Sequence, residues 1–174
     1  MFRRAGCRRR DHTPGEQESG HRISVAGVSF SVRRAEPTDL EVLIELAAEY
    51  CEADDHAFDE STVRAGFGPL LDGDQFGVVF VAEIDGTVDG YAVVSWGWSI
   101  EIGGMDVVLD ELYTRTKGRG AGTVLLHHVE ADCRARGVKR IFLETELPNE
   151  GARRLYSREG FQADTSIWMS KELT

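Results

Sequence analysis

Apolar and polar residues alternate from Val28 to Pro37, in VSFSVRRAEP, with the period of a strand that buries one face. The rhythm then lengthens. TDLEVLIELAAEYCEADD repeats apolar residues at helical spacing behind Thr38 and Asp39, both able to cap a helix start. A second, shorter helix is predicted from about Glu60 to Leu71, with Gly66, Gly68 and Pro69 expected to loosen or end it. Three extended runs follow, GVVFVAEID, TVDGYAVVSWGWSIEI and MDVVLDELYT, separated by turns at Asp85-Gly86 and Gly103-Gly104, and they read as an antiparallel meander. AGTVLLHHVEADCRARG is an amphipathic helix closed by Gly137, and KRIFLETEL is a β-branched and aromatic strand. NEGARRLYSREG is a helix between Asn149 and Gly160, and FQADTSIWMSKEL is a last strand. The order is mixed α/β, without repeats or low-complexity tracts.

Length and composition fit this pattern to one domain: 174 residues, 41% of them hydrophobic, suffice for a single core. No apolar run approaches the ~20 residues of a membrane helix, and no secretory signal is visible, so a soluble, cytoplasmic protein without membrane partners is expected. Cys7, Cys51 and Cys133 are widely spaced and form no CxxC pattern, which suggests neither a disulfide framework nor a metal site.

Charge is uneven. Residues 1–22 hold six arginines (Arg3, Arg4, Arg8, Arg9, Arg10, Arg22) against Asp11, Glu16 and Glu18, a net of +3; with −10 overall, the remainder carries −13. So acidic a domain repels nucleic acid and favours cationic partners. The leader lacks hydrophobic periodicity and reads as a disordered basic tail over residues 1–25 ahead of a domain over 26–174, with an organelle-targeting peptide as the competing reading.

Candidate chemistry concentrates after the third extended run. KGRGAG, Lys117 to Gly122, joins a strand to a helix that starts near Gly120, with glycine at every second position. Glycine lets the backbone approach a ligand, amide hydrogens converge there, and the helix dipole favours an anion, so a phosphate or diphosphate is the natural occupant. A glycine turn that only reverses the chain would look similar. The P-loop pattern GxxxxGK[ST] and the dinucleotide pattern GxGxxG are both absent.

Together with the block NEGARRLYSREGF, the turn resembles the signature of the GNAT superfamily of acetyl-CoA-dependent N-acetyltransferases. In that family a strand leads to Q/R-x-x-G-x-G/A and a helix, and an N-x-x-A-x-x-L-Y-x-x-x-G-F block follows. Here Asn149, Ala152, Leu155, Tyr156, Gly160 and Phe161 stand at the positions of the second motif. Lys117 replaces the usual Arg or Gln, and the link from strand to turn is shorter than in most members. The resemblance extends from Val28 to Leu173. It implies a mixed, mostly antiparallel sheet of about six to seven strands flanked by about four helices. It also implies acetyl-CoA as acyl donor, with no metal.

The resemblance further implies that the main chain of Leu112, Tyr113 and Thr114 holds the acetyl group and pantetheine arm. Lys117, Gly118, Arg119, Gly120, Ala121, Gly122 and Thr123 would cradle the diphosphate, with Asn149 and Ala152 contacting the arm. Tyr156 corresponds to the tyrosine that faces the departing sulfur; a phenol of pKa ~10 is protonated at neutral pH and can donate to a thiolate. A tyrosine packed beneath the last helix is the competing reading. An alkylammonium of pKa ~10.4 must also lose its proton. Glu111, just before the acetyl-binding main chain, is the candidate base, while strand alternation turns its neighbour Asp110 to the other side, so that only one faces the acceptor; a structural hydrogen-bonding role for one or both is the competing reading.

For the acceptor, EYCEADDHAFDE places Glu52, Asp54, Asp55, Asp59 and Glu60 around His56, which would suit a small cationic amine; a solvated helix end would look the same. Trp96 and Trp98 share a sheet face and either line the cleft or belong to the core. His127 and His128 have no matching third metal ligand. The expected function is acetyl transfer to a primary amine. Acetylation of peptide or protein N-termini or lysines, or acyl-CoA binding without turnover, are the alternatives. Pairing of two copies as a homodimer, through the last strand as in some relatives, is left open.

Overall fold

Alternating residues dictate a sheet with two buried faces. In the computed structural model, which describes residues 21–25 and 28–173, the strands are β1 (His21–Val25), β2 (Val28–Arg34), β3 (Gly77–Ile84), β4 (Thr87–Ser99), β5 (Gly104–Thr114) and β6 (Arg140–Leu143). They form one six-stranded sheet in sequence order, antiparallel throughout except for the parallel pair β5–β6. Helices α1 (Leu40–Ala53) and α2 (Glu60–Asp72) cover one face, and α3 (Ala121–Ala135) and α4 (Glu150–Arg158) belong to the other. Val78, Phe80, Ala82, Ala92 and Val94 point toward α3, whereas Val79, Val81, Tyr91 and Val93 point toward α1 and α2, as a period of two requires.

The sequence reading holds for the order of elements from β2 to α4 and for the β3–β4–β5 meander. Four corrections follow from packing. The boundary at residue 25 falls inside the sheet, because His21–Val25 pair with β2; residues 1–20 of the proposed tail lie outside the described residues. Helix α2 has the predicted extent to within one residue but is not ended by Gly66, Gly68 or Pro69, since Phe67 and Leu71 are buried one turn apart against the sheet while Pro69 faces solvent. Strand β6 stops at Leu143, where its partner β5 leaves it, so Glu144–Leu147 are not strand. Residues 161–173 form no strand: Ile167, Trp168, Met169 and Leu173 are exposed, and nothing pairs with the outer edge of β6 among the described residues.

One half-buried ionic cluster fixes the entry to α1. Asp39, at the cap position after a 3-10 turn (Pro37–Asp39), accepts from Arg33 Nη1 at 2.7 Å and Nη2 at 2.8 Å and from the Glu36 amide at 2.7 Å. Arg33 also donates from Nε to Glu83 at 2.8 Å, tying β2, β3 and α1 together. The Arg33 guanidinium holds the Asp39 carboxyl below its ordinary value. The cluster's contribution to stability is therefore complete above the unfolded-state pKa of about 3.9 and disappears as pH falls through the lower folded value. Asp39→Ala should cost about 2 kcal/mol near pH 7, and urea denaturation across pH should show that difference shrinking in acid.

Candidate active site

The site begins where two neighbouring strands part. β5 and β6 are paired from Asp106↔Arg140 to Leu109↔Leu143; beyond that, β5 continues to Thr114 while the other chain turns away toward α4. The edge of β5 over residues 110–114 thus has no β6 partner, although β4 still pairs on its other side as far as Gly90↔Thr114.

A bulge at the same place changes what β5 presents. Val94 pairs with Leu109 and Val93 with Glu111, which leaves Asp110 as the extra residue. Val107 and Leu109 face α3, but Tyr113 packs with Tyr91 and Val93 on the α1 side, so the alternation has been rephased. This corrects the expectation that strand alternation turns Asp110 and Glu111 to opposite sides. Both line a cavity of about 240 Å³ at the parting of the strands.

That cavity is bounded by Tyr50, Asp54 and His56 at the end of α1, Leu109, Asp110, Glu111 and Leu112 of β5, Glu144, Thr145 and Glu146 after β6, and Asn149, Ala152 and Tyr156 at α4. Five carboxylates from three parts of the chain converge there. Glu111 Oε2 accepts a 2.5 Å hydrogen bond from the hydroxyl of Tyr91, a fully buried residue. Burial pushes the Glu111 carboxyl up; the Tyr91 bond opposes this and Asp110 adds to it. Burial, reinforced by Asp54, also raises the phenol of Tyr156. Tyr50 is pushed up to about 12 by burial, with Asp54 and Glu111 contributing. Both phenols stay protonated donors at neutral pH.

Helix α3 starts at Gly120 without a side-chain cap, leaving its first amides to other partners. Gly118 at φ 76° and Gly120 at φ 92° are left-handed, and no atom lies within 4 Å of a Cβ built on either. Conformation, not crowding, requires glycine at these two positions. Gly122 differs: its Cβ would make ordinary contacts with Leu155 at 3.5 Å and Leu112 at 3.6 Å, which places the head of α3 between β5 and α4.

Of the residues singled out in the sequence, Glu111, Leu112, Asn149, Ala152 and Tyr156 meet at the cavity. Tyr113, Thr114 and Lys117 to Thr123 lie outside its lining. The side chains of Tyr113 and Thr114 turn inward, the first donating to Glu49 at 3.3 Å and the second buried, so only their main chain is available to a ligand. Lys117 sets its ammonium over the Tyr113 ring, 4.2 Å from the centroid. Asn149 accepts from the Ala152 amide at 3.1 Å and caps α4 as expected. The acidic stretch after α1 divides: Asp54 and His56 reach the cavity, whereas Asp59 caps α2 and Glu60 pairs with Arg64. Neither tryptophan lines the cavity. Trp96 packs on the α3 side and donates to the Asp74 carbonyl at 2.7 Å, and Trp98 is exposed, because β4 extends past the cleft.

Sequence reasoning missed Tyr50, Tyr91, Glu144 and Glu146. The two glutamates had a signal, since ligands sit beyond the carboxyl ends of parallel strands and E-T-E follows RIFL there. A larger cavity of about 1170 Å³ lies between β6, α3, α4 and residues 160–169. It includes Tyr156 but not Glu111, Leu112, Asn149 or Ala152, so the smaller one is the candidate site. The described residues contain no group of three or more His, Cys, Asp or Glu placed to hold a metal, and no helix long and apolar enough to cross a membrane.

Comparison with known proteins agrees with this geometry. The model of the Acetyltransferase (GNAT) family matches residues 40–161, and the chain belongs to that family. Among solved structures, an integron cassette protein from the mobile metagenome of Cole Harbour Salt Marsh is 27% identical, with 82% of this chain and 90% of that one covered and a TM-score of 0.74. The aminoglycoside N-acetyltransferase AAC(6')-Iy, in complex with CoA, is 17% identical over 87% of this chain and 100% of that one, with a TM-score of 0.72. A ribosomal-protein-alanine N-acetyltransferase from Brucella melitensis biovar Abortus 2308 is 19% identical over 82% and 99%, with a TM-score of 0.69. No curated protein sequence matches the chain.

The glycine geometry makes opposite demands on neighbouring positions. Gly120→Ala should destabilise the protein by about 1 kcal/mol through left-handed strain, while Gly122→Ala, inside the helix and in ordinary contact, should be neutral or slightly stabilising in urea titrations.

Proposed function

We propose that the protein transfers an acetyl group from acetyl-CoA to a primary amine on a small cationic molecule, by direct attack of the amine. The observation that carries the acceptor class is the convergence of Asp54, Asp110, Glu111, Glu144 and Glu146 on the cavity that also holds Tyr156. Negative charge there draws in a cation and orients it before reaction.

Acetyl-CoA supplies an activated acyl carbon and a thiol as leaving group. The residues fit it. Left-handed Gly118 and Gly120 and the uncapped head of α3, flanked by Lys117 and Arg119, suit a diphosphate, with Ala121, Gly122 and Thr123 contributing first-turn amides. The unpaired edge of β5 offers the main chain of Leu112, Tyr113 and Thr114 to the extended arm, as a strand would be offered. Asn149 and Ala152, on the opposite wall, close the channel.

Glu111 takes the proton. An ammonium of pKa ~10.4 costs about 4–5 kcal/mol to neutralise at pH 7, and a carboxylate made more basic by burial narrows the gap. Tyr156 donates to the sulfur as it leaves; its raised phenol keeps the proton available through neutral pH.

Thiol release from acetyl-CoA, measured across polyamines, basic amino acids, aminoglycosides, peptides and neutral amines, tests the reading. Release with small cations and not with neutral amines is expected. Release with peptides alone would move the acceptor to a protein, and calorimetric binding of acetyl-CoA without release by any amine would leave a binding module. Tyr156→Phe should lower kcat at least about tenfold with the Kd for acetyl-CoA within about twofold; an unchanged kcat removes the assigned proton donor.

A further inference from the structure

Tyr91 lies at the centre of β4, with none of its surface exposed, and does not line the cavity. Its ring is fixed from two sides: edge-on by Phe67 of α2, with centroids 5.8 Å apart, and by Tyr113 of β5 at 6.5 Å. It pairs across the sheet with Tyr113 and sits diagonally behind Glu111, which pairs with Val93. A buried phenol needs a hydrogen-bond acceptor, and here that acceptor is the cavity carboxylate, Oε2 of Glu111, at 2.5 Å.

We propose that Tyr91 is a positioning residue for the acyl transfer: its hydroxyl, held rigidly behind the cavity wall, anchors Oε2 of Glu111 and reserves Oε1 for the proton of the incoming amine. This rests on the reading of Glu111 as the base. The geometry supports the division of labour, because Oε1 has no hydrogen-bond partner among the described residues while Oε2 is engaged. The bulge at Asp110 makes the bond possible, since with unbroken alternation Glu111 would join Val107 and Leu109 on the opposite face from Tyr91.

The bond also sets how readily the base loses its proton. Around the carboxyl stand Tyr91 of β4, Tyr50, Cys51 and Asp54 of α1, His56 after it, Asp110 of β5, Glu144 and Glu146 after β6, and Tyr156 of α4. Burial and Asp110 both favour the protonated form, and Tyr91 is the neighbour whose hydrogen bond favours the anion. Removing it leaves burial unopposed, so the carboxyl titrates at higher pH and a smaller fraction is available as base in mildly acidic solution.

The test is the pH profile of kcat/KM for Tyr91→Phe, with the best amine from the acceptor panel and acetyl-CoA as donor. The acidic limb should move up by about one pH unit, a roughly tenfold loss on the acidic side, while the plateau falls by less than about fivefold. A merely structural tyrosine would change the plateau or the melting temperature without moving the limb, and that result overturns the proposal. Glu111→Gln separates the two levels: it should abolish the acidic limb. If the limb survives in Glu111→Gln, both readings fall; if only Tyr91→Phe leaves it in place, the positioning role falls and the base stands. Should Tyr91→Phe not fold, uniform replacement of tyrosine by the more acidic 3-fluorotyrosine should shift the acidic limb downward through a stronger bond to Glu111. An unmoved limb in that protein is equally fatal to the proposal.

Discussion

Everything in the site follows from the end of hydrogen bonding between β5 and β6 at Leu109 and Leu143. Up to that row the two strands share a parallel ladder; past it, β5 is held only by β4, and the separated chains leave a cleft between them. Backbone groups that a sheet would consume internally are left for a ligand, the condition under which an extended molecule can be bound by main chain instead of side chains. The Asp110 bulge falls on the first unpaired residue, so the site that opens also receives a rephased set of side chains. One extra residue brings Glu111 to the α1 face and places two carboxylates at one cavity.

The same geometry explains how an acidic site is sustained. Asp54, Asp110, Glu111, Glu144 and Glu146 come from three parts of the chain, and most remain near solvent, where their mutual repulsion is screened. Glu111 is the more enclosed, and its neighbours Tyr91, Tyr50 and Tyr156 are phenols that stay neutral. One neutral donor, Tyr91, bonds the half-buried carboxylate of Glu111 directly, and none of the three phenols adds a charge beside it.

Much of this was legible in the sequence, and the reasons differ by residue. The turn at Gly118 and Gly120 and the block from Asn149 to Phe161 are local patterns, and local patterns survive folding: both glycines are left-handed and Asn149 caps its helix. The helices and the meander were readable because periodicity reports burial. What escaped depends on register. Nothing in DELYT announces a bulge at Asp110, because the bulge exists only relative to β4, and the Tyr91–Glu111 bond follows from it. Pro69 misled for the converse reason: burial of Phe67 and Leu71 outweighs the local cost of an interrupted helix. The last segment carries a strand's composition, yet composition does not supply the pairing.

The shortness of β6 has a mechanical consequence. Its four residues have a single ladder, of the parallel kind, whereas β4 and β5 are zipped along ten rows between antiparallel neighbours. The two walls of the cleft are therefore unequal in stiffness. Amide protons of Arg140 to Leu143 should exchange with solvent faster than those of β4, so the wall followed by α4 and Tyr156 is the one expected to yield, while the wall that carries Glu111 stays fixed.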